Sequence, residues 1–72
     1  MCMTIPLEII SLKNKMAKVR NHLGQVYDVD ISLLENVEKG SWILANANMA
    51  LKKIRAGEAK KIIKIFKEGE DG

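Results

Sequence analysis

Apolar and polar side chains alternate, with interruptions, from Ile5 to Ile54, and only after that does the spacing change. Residues 5–12 predict a strand: Ile5, Leu7 and Ile9 share one face, and Ile10 and Leu12 fall on the other. It reads as apolar on one face early and on both faces late. Lys13-Asn14-Lys15 is a polar turn. Residues 16–21 predict a second strand, with Ala17 and Val19 inward and Lys18 and Arg20 outward. His22, Leu23 and Gly24 make the next turn, Gly24 supplying permissive backbone. Residues 25–30 return as a third strand, with Tyr27, Val29 and then Ile31 on one face and Asp28 and Asp30 on the other. Residues 16–30 are therefore a hairpin.

Residues 31–39 are less regular; Asp30 or Ser32 is placed to cap a short helical turn carrying Leu33 and Leu34. Glu38-Lys39-Gly40 reads as a tight turn before the strongest strand, residues 41–46, centred on Trp42, Ile43 and Leu44. Asn46-Ala47-Asn48 reads as a turn because asparagine tolerates positive φ, and residues 49–54 form a fifth strand. Beyond Ile54 the period becomes helical: Ala59, Ile62, Ile63 and Phe66 lie at i, i+3, i+4 and i+7 with lysines opposite. The predicted helix covers residues 55–68, Gly69 ends it, and residues 69–72 are a frayed tail. So short a helix is not stable alone and has to dock on the sheet, where the doubly apolar first strand can receive it. The fold expected is mainly β: a small, partly open, five-stranded OB-like barrel with a C-terminal α-helix packed on it. It forms one domain, with a leader at 1–6, the barrel at 7–54 and the helix after it. Trp42 is expected as the largest core residue, and His22 as an exposed turn histidine.

Composition narrows the class. Seventy-two residues are near the lower limit for a self-sufficient core, and 47% hydrophobic residues make one feasible without staples. No basic n-region or long apolar run opens the chain, so neither a signal peptide nor a membrane span is expected. A single cysteine, Cys2, fits a reducing cytoplasm. The net charge of +3 is modest, and its late lysines read as the solvated face of the helix.

Cys2 carries the candidate chemistry. It has no disulfide partner and is poorly placed for packing. Removal of Met1 would leave its amine and thiol on adjacent carbons, a pair able to chelate a soft or borderline metal. Pro6 fixes φ and biases Ile5 toward extended geometry, so the thiol rides on a short, stiffened leader. One thiolate cannot complete the coordination of iron, and no His/carboxylate cluster is spaced to help. Any metal held here would be shared with small ligands or with a partner. There is no Ser/His/Asp set, glycine-rich phosphate loop or acid–base pair, so an enzyme is not expected.

Met1-Cys2, Ile5 and Pro6, then Gly40 before Trp42-Ile43-Leu44, then Ala47 and Met49-Ala50-Leu51, resemble the HypC/HupF hydrogenase maturation chaperones. The stripe of the terminal helix matches more weakly. The resemblance implies a chaperone that carries iron bearing cyanide and carbon monoxide, Fe(CN)2CO, through Cys2. It implies a HypD-like iron–sulfur partner and the hydrogenase large-subunit precursor as successive partners. It also implies partner contact at Cys2, Ile5 and Pro6. Two departures stand out: Asn46-Ala47-Asn48 replaces the family's His-Ala-Gly, so Asn46 occupies the histidine position, and Thr4 replaces a smaller residue. An amide cannot accept a proton or ligate iron as imidazole does. Two other readings stay open. One is a small OB-like nucleic-acid binder using Lys13, Lys15, Lys18 and Arg20. The other is an interaction module that pairs an exposed sheet edge with a partner strand.

Overall fold

The computed structural model describes residues 4–71, and side chains as far as residue 67. Met1, Cys2, Met3 and Gly72 lie outside the described residues. The elements run β1 (Ile5–Lys13), β2 (Met16–Arg20), β3 (Val26–Asp30), β4 (Trp42–Asn46), β5 (Met49–Ile54) and α1 (Ala56–Asp71). The strands form a barrel in the order β1-β2-β3-β5-β4, which closes where β4 returns to β1. The barrel is closed rather than partly open. The last seam is the parallel bridge Asp30↔Met49, reinforced by Asp30 N–H donating to the Asn48 carbonyl at 2.7 Å.

The break in alternation at Ile9-Ile10 is a β-bulge. Ile9 pairs with Val19 but Ser11 pairs with Lys18, so Ile10 is the extra residue. The bulge resets the phase, so Leu12 falls opposite buried Ala17 on the side of Leu7 and Ile9, but at 40% exposure it lies at the rim of the barrel and outside the core. The expectation that β1 turns apolar on both faces late is therefore corrected: a two-residue period cannot register an inserted residue. A second irregularity leaves Leu51 extra between Ala45↔Ala50 and Leu44↔Lys52. Leu7, Ile9, Ala17, Val19, Val29, Ile31, Ile43, Ala45 and Ala50 make the core, with Ile5, Tyr27, Leu34 and Val37 packed on it. Trp42 is not part of this core. Its neighbour Ile43 points in, so Trp42 takes the outer face, half-buried, opposite Glu8 and Ile54.

The outer face of β1 and β4 is what α1 covers. Pro6, Ile54 and Ala59 are buried there, outside the barrel's own core. The docking ground is thus the start of β1, not its late residues. Arg55 precedes the helix: its carbonyl accepts from Ala59 N–H at 3.0 Å, and its own N–H donates to Glu58 Oε1 at 3.3 Å. That is one half of a capping box. The helix continues past Gly69 to Asp71. Glycine inside a helix costs only about 1 kcal/mol relative to alanine, too little to force an end.

The segment from β3 to β4 makes one turn rather than a helix. Asp30 Oδ1 accepts Ser32 N–H at 2.8 Å, and Leu34 N–H donates to the Ile31 carbonyl at 3.0 Å. Gly40, at φ 93°, brings the chain back so that its N–H reaches the Ile9 carbonyl. No helix among the described residues is long and apolar enough to cross a membrane.

Candidate functional site

The leader enters the barrel at the end of β1 that pairs with the end of β4. Ile5 lies opposite Ala45 and Pro6 opposite Leu44. Continuing that register by one step brings position 4 opposite Asn46. Thr4 and Asn46 therefore lie at the same end of one strand pair, which sequence spacing alone could not show. Asn46 is half-buried, is the last residue of β4, and faces Met49 across the turn. Thr4 is exposed. Cys2 lies outside the described residues.

What fixes this entry is local. Pairing with β2 starts only at Glu8↔Arg20, so Pro6 has a strand on one side alone, the edge-like setting a proline tolerates. Pro6 is fully buried and Ile5 is half-buried against the core. Both act as anchors in the fold and offer little open surface.

The turn beside Asn46 is unusual. It has two central residues, and Ala47 carries the positive φ of 55° that the sequence pattern assigns to asparagine. Among the described residues the other positive-φ positions are Asn14, Asn36, Gly24 and Gly40, and Ala47 is the one there without a permissive side chain. Propensity points to Asn46 or Asn48, but the pairing of Asn46 with Met49 decides which residue turns the corner.

Electrostatics on the outer barrel face follow the register. Arg20 donates to Glu8 at 3.0 Å and Lys18 pairs with Asp28 at 3.5 Å, each directly across a strand pair. Two of the four cations of the nucleic-acid reading are thus already matched by carboxylates. Asp30 has a carboxyl held below the ordinary range by hydrogen bonds from the Ser32 side chain and backbone. Among the described residues no three His, Cys, Asp or Glu side chains gather as a metal site. His22 is not the exposed turn residue expected. It is half-buried, with its ring 5.4 Å from that of Phe66 at 44°. The reason is the length of α1, which carries Phe66 back over the β2–β3 turn.

A model of the HupF/HypC family matches residues 1–66. The chain is also similar to the hydrogenase maturation factor HypC of Helicobacter hepaticus (strain ATCC 51449 / 3B1), at 26% identity over 69 residues. That alignment covers 94% of this chain and 80% of the relative. A match that begins at residue 1 takes in the leader as well as the barrel and most of α1, and the chain belongs to the HupF/HypC family.

Proposed function

We propose that this protein is a non-catalytic hydrogenase maturation chaperone that carries an Fe(CN)2CO intermediate through Cys2. The observation that supports this reading best is the family match from residue 1, which includes Cys2 within the part shared with the family. The similarity to a HypC maturation factor points the same way.

Iron is cargo in this scheme. Cys2 supplies a thiolate, joined by the α-amine if Met1 is removed, and the remaining ligands come from cyanide, carbon monoxide and a partner. An incomplete shell suits a carrier, because the cargo can leave by ligand exchange. The roles of the neighbours follow from their placement. Buried Pro6 and half-buried Ile5 hold the leader against β4 and limit how far the thiol can wander. Asn46, at the same end, offers a neutral amide that can donate to a cyanide nitrogen or a partner carbonyl but cannot take up a proton. The partners in this reading are a HypD-like iron–sulfur protein and then the hydrogenase large-subunit precursor, met in a reducing cytoplasm. The test is complementation together with co-purification in a host lacking its own member of the family. Cys2→Ala should retain the wild-type unfolding temperature yet lose hydrogenase activity and the HypD-like partner. Full maturation by Cys2→Ala would refute the reading.

A further inference from the structure

The seam that closes the barrel is short, and it leaves a strand edge open. One side of β3 is paired with β2 along its whole length, from Met16↔Asp30 to Arg20↔Val26. On the other side, among the described residues, β5 meets β3 at Asp30↔Met49 alone. The phase of the ladder decides which main-chain groups are left over. Asp30 N–H donates to the Asn48 carbonyl, so Asp30 turns its amide away from β2. That direction alternates along an antiparallel pair, so Tyr27 and Val29 bond to β2 while Val26 and Asp28 point N–H and C=O outward. Asn21 N–H, donating to the Gln25 carbonyl at 3.0 Å, fixes the same phase from the other end. Residues 26–28 are therefore an open edge. Val26 is 49% exposed and Asp28 is exposed as well. Their side chains end two cross-strand rows on the outer face, Glu8–Arg20–Val26 and Ser11–Lys18–Asp28. The first row holds the Arg20–Glu8 ion pair and the second the Lys18–Asp28 pair.

We infer that residues 26–28 accept an extended strand of a protein partner, antiparallel to β3, with an aliphatic side chain opposite Val26 and a cation opposite Asp28. Outward N–H and C=O groups at strand spacing are complementary to another extended chain. Antiparallel addition lets Val26 and Asp28 each exchange both hydrogen bonds with one facing residue. A cation opposite Asp28 extends the alternation of charge that Lys18 begins, and an aliphatic residue covers the exposed surface of Val26. A second copy of this chain fits poorly in every register. A two-fold axis at Tyr27 sets Asp28 against Val26, and one at Asp28 sets two carboxylates face to face. An axis at Val26 would need Gly24, whose N–H already donates to the Asn21 carbonyl within the turn. The edge is built from the main chain of β3 and does not involve the thiol.

The test follows amide hydrogen exchange and chemical shifts by NMR in the isotope-labelled full-length protein. In the free protein the Val26 and Asp28 amides should exchange fast, and those of Tyr27 and Val29 slowly. The probe is the peptide acetyl-Thr-Lys-Thr-Ile-Thr-amide, which should slow exchange at Val26 and Asp28. An analogue with glutamate in place of lysine should bind about threefold more weakly or worse, and Asp28→Lys should reverse that order. Asp28→Pro removes an outward donor and no bond to β2, so circular dichroism should show the barrel intact while peptide binding falls roughly tenfold or more. Cys2→Ala should bind the peptide as wild type does, so this inference and the proposed function fail separately. Val26 and Asp28 amides already protected in the free protein, by a second copy or by the chain's own first residues, would overturn the inference. Equal binding of the two peptides to wild type, or undiminished binding by folded Asp28→Pro, would overturn it too.

Discussion

Ala47→Gly should make this protein more stable. Ala47 holds φ 55° in the two-residue connection between β4 and β5. A left-handed backbone costs a non-glycine L-residue about 1–2 kcal/mol, because Cβ crowds the following carbonyl. Glycine removes that crowding but loses about 0.5–1 kcal/mol more backbone entropy on folding. Taken at the middle of each range, the net gain is about 0.5–1 kcal/mol. For a domain of this size each kcal/mol moves the midpoint by about 4–8 °C, so a rise of about 2–8 °C is expected. Thermal unfolding followed by far-ultraviolet circular dichroism and Trp42 emission gives the midpoint, and urea titration should show a higher midpoint with the slope unchanged. The reverse experiment is Gly40→Ala, at φ 93° with no atom within 4 Å of the added Cβ. It isolates backbone strain from collision and should lose about 1 kcal/mol or more. An Ala47→Gly midpoint equal to or below wild type would refute the strain argument.

Further outcomes follow from the same geometry. Ile43, fully buried in the barrel, should lose about 2–5 kcal/mol on change to alanine by urea denaturation, a large part of the roughly 4–11 kcal/mol typical for this chain length. Phe66→Ala should speed hydrogen exchange in the last turns of α1 and in the β2–β3 turn, with the barrel strands little changed, because the His22–Phe66 contact joins only those two parts. Asp30 has a lowered pKa, so its contribution is complete above the unfolded value near 3.8 and is lost as pH falls through the lower folded value. Asp30→Asn should flatten the acid limb of the stability curve in that window.

The sequence disclosed the strands because each inner face is apolar and the period is two: Ala17/Val19 and Ile43/Ala45 lie inward as the alternation requires. It disclosed the helix for the same kind of reason, through the Ala59-Ile62-Ile63-Phe66 stripe. The bulge at Ile10 stayed hidden, since an inserted residue between two isoleucines looks like a strand apolar on both faces. Trp42 was misplaced because bulk suggests a core while parity puts it outside. The placing of Thr4 and Asn46 at one end depends on β1 pairing with β4, a contact between residues some forty positions apart that no local pattern encodes. The role proposed for Cys2 rests on sequence alone, on a lone thiol four residues before a proline, and Cys2 lies outside the described residues.

The most direct measurement of the central claim is infrared spectroscopy of the anaerobically isolated protein, alone and with its co-purifying partner. Wild type should show cyanide and carbon monoxide stretches together with bound iron, and Cys2→Ala should show neither at equal protein recovery. Bands of undiminished intensity in Cys2→Ala would mean that the cargo is held elsewhere, and would contradict a carrier built on the N-terminal thiol.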